Sequence, residues 1–179
     1  MEFNQLIQTI AIYALPVLLA ITLHEAAHGY VARHFGDMTA FAQGRVSLNP
    51  MRHLDLVGTL LVPLAMLLVS GGRFLFGWAK PVPVNYSALR KPRQHMALVA
   101  AAGPAANLAM ALGWALLLKT GLVLPETSYF EPLVRMCEAG VRVNLIFMFL
   151  NLLPILPLDG GRILASLLPN RMSWQYAKL

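Results

Sequence analysis

The run from residue 6 to about residue 31 is almost wholly apolar, yet it carries the pentapeptide "HEAAH", with His24, Glu25 and His28. An apolar stretch of about 20 residues or more can cross a hydrocarbon core of about 30 Å. Ionisable groups at that depth are costly, seek partners or a wet cavity, and mark function by default. A chain built this way must bury two imidazoles and a carboxylate against something that compensates them.

Composition agrees with a membrane setting. Of the 179 residues, 58% are hydrophobic and 12% are charged, against about 25% charged in soluble domains. The mean hydropathy is +0.61. The net charge of +6 does not indicate nucleic acid, because Lys and Arg lie in short segments between apolar runs, with no basic stripe interleaved with aromatics. They read as membrane-flanking charges. The single cysteine, Cys137, excludes an internal disulfide and a Cys-x-x-Cys metal pattern, and reads as a small packing residue. The N-terminus has no basic n-region and no A-x-A cleavage site, so it reads as retained.

Three further apolar runs follow, at about 56–70, 96–118 and 143–158. Only the first and third of the four have a comfortable spanning length. The second contains Pro63 and ends in Gly71-Gly72, which suits a re-entrant or interfacial segment better than a span. The fourth is broken near its end by Pro154 and Pro157. The expected fold is an all-α integral membrane protein: a single domain over 1–179, with three transmembrane helices, one re-entrant or short hydrophobic segment, and extended connecting segments.

Residues four apart share a helix face, so His24 and His28 can point at one metal ion while Glu25, about 100° round, sits beside it. That is the outline of a zinc site. The alternative is a pair of histidines hydrogen-bonding between helices, which leaves the carboxylate without a cation. Catalytic zinc normally takes three protein ligands and keeps a fourth position for water, so one ligand must come from elsewhere. Asp159, in "NLLPILPLDGGRIL", is the candidate. Pro154 and Pro157 break the helix, and Gly160-Gly161 are expected to let the backbone bend, so that Asp159 aims from irregular chain. An ordinary interfacial turn is the other reading of Asp-Gly-Gly. Glu126, Glu131 and Glu138 cluster in a polar segment that a solvated loop would explain. Asp37 and Asp55, just past the first run, are weaker candidates.

Together, "HEAAH", "GPAAN" at 103–107 and "NLLPILPLDGGR" at 151–162 resemble the site-2 protease family of intramembrane zinc metalloproteases. The likeness covers nearly the whole chain; "GRVSLNPMRHLDLVGT" at 44–59 and "GWAKPVPVN" at 77–85 resemble connecting segments of short prokaryotic members. The resemblance implies one zinc ion on His24, His28 and Asp159, with Glu25 as the catalytic acid/base. It also implies that Asn151 helps to polarise the scissile carbonyl and that Asn107 belongs to the core helix. The implied substrates are transmembrane proteins, and the implied location is a prokaryotic cytoplasmic membrane. Short members usually continue into a further membrane helix, so truncation after "SWQYAKL" is one expectation. From the residues alone, Asn151 also reads as an interhelical hydrogen bond worth about 0.6 to 2 kcal/mol, and Asn107 reads first as part of a small-residue packing surface.

Topology bears on the ligand set. If all four runs crossed, Asp159 would emerge on the side opposite the histidines; if the second re-enters, the two meet at one face. Residues 33–94 carry Arg33, Arg45, Arg52, Arg73, Lys80, Arg90, Lys91 and Arg93, while the opposite loop has Lys119 and Arg135 against three glutamates. By the positive-inside rule the basic side is cytoplasmic, so the site is expected to open there, with the N-terminus outside.

In the implied reaction, zinc acidifies water and polarises the carbonyl, while Glu25 moves the proton. A transmembrane substrate must unwind before water reaches its peptide bonds. Pro81, Val82, Pro83 and Val84 favour an extended segment that could receive the unwound chain by β-augmentation; a plain connecting loop is the alternative. His34, His53 and His95 lie at run ends, with His53 a candidate for the site entrance. "RKPR" at 90–93 reads as an anionic-lipid contact and topology anchor. Trp78, Trp114 and Trp174 fit interface belts or helix packing. Two rival functions remain: a membrane zinc transporter or sensor, which would need a polar pathway, and a catalytically silent scaffold, which would not need Glu25.

Overall fold

The first apolar run winds into one long helix, α1 (Phe3–His34), in the computed structural model, which describes residues 3–69, 79–121 and 130–178. Arg33 extends its last turn, where a cation faces the negative end of the helix. Arg90 then donates to the His34 carbonyl at 2.8 Å, satisfying an acceptor that the helix end leaves open. α2 (Thr39–Ala42) is a single turn. Among the described residues every regular element is helical and no strand forms.

The second run starts with Asp55 accepting from the Gly58 amide at 2.7 Å, followed by a π-helical turn (Leu56–Leu61) and α3 (Val62–Val69). Gly71, Gly72, Arg73 and Trp78 lie outside the described residues. The chain is next seen at residue 79, and the Lys80 amide donates to the His53 carbonyl at 2.9 Å. The two ends of this excursion therefore lie side by side.

Pro92 opens α4 (Pro92–Gly121), a position that wastes no hydrogen bond. Ile7–His34 and Pro92–Thr120 are 28 and 29 residues of helix long and apolar enough to cross a bilayer. They fit a membrane protein. α5 (Phe130–Asn151) begins well before the fourth apolar run. Glu131 and Glu138 are therefore helical rather than part of a solvated loop, each facing an arginine one turn on, Arg135 and Arg142. Glu126 lies outside the described residues.

α1, α4 and α5 pack against one another, and α6 (Asp159–Leu167) lies on α4. α7 (Asn170–Tyr176) follows, with Ser173 donating to the Ala165 carbonyl. The buried surface is dominated by small side chains, among them Ala20, Ala26, Ala32, Ala100, Ala111 and Ala139. Such residues let helices approach closely where lipid removes the hydrophobic incentive to associate. Leu112, Leu116, Ile146 and Phe149 face outward, as lipid-facing residues would. Of the tryptophans, Trp114 is buried, and a Cβ added at Gly140 would lie 2.4 Å from its ring.

Two sequence expectations change here. Asp159 is the first residue of α6, not part of irregular chain, so its charge sits at the positive end of a helix. Gly160 and Gly161 also have no positive φ. They are needed for close approach, because a Cβ at either would come within 2.2 to 2.6 Å of the backbone of Leu152 or Ile155. Arg93, expected as a lipid contact, ties α4 to the Ser166 carbonyl and the Asn170 side chain.

Candidate metal centre

α1 presents His24 and His28 on one face, and α6 brings Asp159 to them. The two Nε2 atoms are 3.1 Å apart, and Asp159 Oδ2 lies 3.2 Å from His24 Nε2 and 3.3 Å from His28 Nε2. All three side chains are buried.

Hydrogen bonds behind the rings fix what these atoms are. His28 Nδ1 lies 2.7 Å from the Val99 carbonyl, which can only accept, so the nitrogen carries the hydrogen. His24 is set by a longer relay. Asn144 Nδ2 donates to the Gly140 carbonyl at 2.8 Å, leaving its Oδ1 to accept from Asn107 Nδ2 at 3.0 Å. Asn107 Nδ2 also points at the Ala20 carbonyl at 3.3 Å. Its Oδ1 must then accept, and His24 Nδ1 donates to it at 2.5 Å. Both asparagines are 0% exposed.

Each imidazole thus turns a bare Nε2 lone pair toward the other and toward a carboxylate oxygen. Asp159 Oδ2 is buried with no hydrogen-bond donor. Three electron-rich atoms this close repel one another unless a cation lies among them. Tetrahedral zinc with ligands at about 2.0 to 2.1 Å needs them about 3.3 to 3.4 Å apart, close to the three separations found. His24, His28 and Asp159 are therefore a group that could hold a divalent metal ion. Gly103 leaves room for the rings, since a Cβ there would lie 2.5 Å from both His24 Cε1 and His28 Nε2.

The site opens into a cavity of about 150 Å³, bordered by Glu25, Val82, Val84, Tyr86, Asn151 and Arg162 as well as the three candidate ligands. Glu25 Oε2 accepts the Val82 amide at 2.7 Å, and Oε1 has no hydrogen-bond partner among the described residues. Pro81 also borders the cavity. The non-helical segment around Pro83 is held down on its far side, where the Asn85 amide donates to buried Asp37 at 2.7 Å. Asn151 donates to its own helix, at the Phe147 carbonyl, 3.0 Å away. Tyr86 accepts from Arg162 Nη1. Burial pushes the Tyr86 phenol above its usual pKa, and the charges of Asp159 and Glu25 add to the rise against Arg162.

The structure brings together His24, Glu25, His28, Val82, Val84, Asn151 and Asp159. Asn107, which the sequence suggested first as a packing residue, holds the back of a candidate ligand. Asp37 and Asp55 bond backbone amides elsewhere, and His53, fully buried against the Ser47 carbonyl, does not border the cavity. Asn144, Tyr86 and Arg162 were missed. Asn144 lies seven residues before Asn151 in an apolar run, two helical turns back on the same face, and that spacing was a readable signal.

Comparison with known proteins finds a relative covering most of the chain. "Putative zinc metalloprotease YwhC" of Bacillus subtilis is 42% identical over 156 residues, which is 86% of this chain and 67% of that protein. The chain belongs to the site-2 protease family. Two mycobacterial proteins named "Putative zinc metalloprotease Rip2" are similar over 80% of the chain. The Mycolicibacterium smegmatis protein is 31% identical, and the Mycobacterium tuberculosis protein is 33% identical. The chain spans 52% of their length, about half. No family model matches the chain, and no solved structure matches it. This site-2 protease family member presents the candidate ligands from α1, the first helix of its described part, and α6, the last but one.

Proposed function

We propose that this protein is an intramembrane zinc metalloprotease that hydrolyses peptide bonds within or near transmembrane segments of other membrane proteins. The observation that carries the reading is the convergence of two imidazole lone pairs and one carboxylate oxygen beside Glu25. The names of the relatives support zinc and peptide hydrolysis.

Three membrane spans, α1, α4 and α5, with a second run that enters and returns, account for the fold. The His53–Lys80 contact supports this reading, because a crossing segment would part those residues by the bilayer thickness. In this reading α6, which carries Asp159 to the C-terminal half of α1, would lie toward the basic side, which the positive-inside rule makes cytoplasmic.

His24, His28 and Asp159 would hold one zinc ion. Zinc in that position supplies Lewis acidity, which acidifies water and polarises a carbonyl. The Val82 amide steadies Glu25 through Oε2, so Oε1 is free to take a proton from water in the cavity and return it to the departing amine. Asn151 borders the same space, and on turning from the Phe147 carbonyl its amide would donate to the carbonyl oxygen under attack. The segment holding Val82, Pro83 and Val84 walls one side of the cavity and would align an unwound substrate strand. Asn107 keeps His24 in the tautomer that binds metal.

The deciding experiment compares wild type with Glu25→Gln on a single-span substrate, measuring zinc in both. Zinc kept and cleavage lost is the expected result. Equal cleavage by the two proteins would end the mechanism.

A further inference from the structure

Arg162 is the only residue bordering the cavity with a permanent positive charge among the described residues. It lies one turn after Asp159 on α6, which puts the two side chains on one face. Its Nη1 donates to the Tyr86 hydroxyl, and the guanidinium sits 5.3 Å from the centre of that ring. These contacts orient the cation without neutralising it. Among the described residues no carboxylate pairs with it, and the donation to Tyr86 is its one hydrogen bond. Both acids of the cavity face elsewhere: Asp159 toward the two histidines, and Glu25 toward the Val82 amide. A half-buried guanidinium with most of its five donors open is a ready receptor for a planar anion.

We infer that Arg162, oriented by Tyr86, binds a carboxylate of the peptide in the cleft. The inference rests on the protease reading. Hydrolysis turns one neutral amide and one water into a carboxylate and an ammonium group, so an anion is created in this space at each turnover. The fork of a guanidinium matches a carboxylate with two parallel hydrogen bonds. An Asp or Glu side chain of the substrate near the cleaved bond offers the same chemistry, and the two sources can be separated.

The metal-loaded protein in detergent provides the test. A short apolar peptide is prepared as the free acid and as the C-terminal amide, and the affinity of each is measured by direct binding. In a second arm, a single-span substrate carries Asp or Asn beside the cleaved bond. If the product carboxylate is the ligand, Arg162→Gln narrows the acid-over-amide preference about tenfold, the usual scale for a charge-assisted hydrogen bond. If a substrate side chain is the ligand, the Asp-over-Asn preference narrows instead. Arg162→Lys should keep part of whichever preference is found, and Tyr86→Phe should weaken it. Should Arg162→Gln fail to load zinc, those two variants decide by the same ratios. A structural tie between Tyr86 and α6 would lower both members of each pair alike, and that result overturns the inference. A zinc-loaded wild type that cleaves nothing would defeat the protease reading instead, while the acid-against-amide comparison could still be made.

Discussion

His24 Nδ1 lies 2.5 Å from Asn107 Oδ1, a contact between residues 83 apart in sequence that decides which nitrogen of His24 is bare. Replacing Asn107 with Leu removes that acceptor and leaves Asn144 without its donor. Zinc affinity should fall about 10- to 100-fold, the usual effect of losing a partner behind a metal ligand. Asn144→Leu should act in the same direction but less strongly, because Asn107 keeps its contact with the Ala20 carbonyl. Zinc titration with a competing chelator measures both. Unchanged affinity in Asn107→Leu would remove the relay from the account.

Gly103 and Gly113 sit on the same helix and predict opposite outcomes. A Cβ at Gly103 meets both histidine rings at 2.5 Å, whereas one at Gly113 meets nothing within 4 Å. Gly103→Ala should abolish zinc binding with helix content preserved. Gly113→Ala should be neutral or stabilising by up to about 1 kcal/mol, since alanine is the better helix former. Circular dichroism with metal analysis distinguishes the two.

Val82→Pro deletes the amide that steadies Glu25 while leaving the three candidate ligands untouched. Cleavage should drop tenfold or more with zinc retained. Val84→Pro removes an amide that makes no hydrogen bond among the described residues; Val84→Ala, which gives up the same packing against Ala32, Leu89 and Val99 but keeps the amide, isolates the effect on substrate pairing. Cleavage unaffected by Val84→Pro would discard the strand-addition idea.

The neighbouring positions of His53 and Lys80 can be tested from outside the membrane. Cys137 is buried, so the wild-type chain offers little background to a thiol reagent. Met51→Cys and Lys80→Cys, both exposed, should be labelled from the same side, and Arg135→Cys from the other. Labelling of Met51→Cys and Lys80→Cys from opposite sides would mean that the second run crosses.

Removing the metal should lower the melting temperature, because zinc binds only the folded site; at a hundredfold excess over Kd the linkage is worth about 2.7 kcal/mol. Asp159→Ala should melt at the same temperature with or without chelator. A chelator shift that persists in this variant would place the ion elsewhere.

The three candidate ligands could be picked out because each carries a local mark: two histidines one turn apart, and a carboxylate beside prolines that end a helix. The ends of α1 and α4 were nearly legible from hydropathy. The start of α5 was not, because its first turns carry Glu131, Arg135, Glu138 and Arg142, whose support comes from pairing one turn apart rather than from apolar burial. The glycines after Asp159 were given a bend when they provide clearance, a distinction set by which backbone lies opposite. The Asn144–Asn107–His24 relay and the Arg162–Tyr86 pair join elements far apart in the chain; the spacing of Asn144 and Asn151 marks a polar face, but no spacing rule says which partner meets it.

The candidate ligands stand at positions 24, 28 and 159, on helices made near the start and near the end of the described chain. During synthesis the first helix is made with both imidazoles in place, well before the third candidate ligand exists. Until α6 has been made and has packed on α4, the nascent protein lacks one of the three candidate ligands. On the protease reading, the order of the chain itself withholds activity from the unfinished protein.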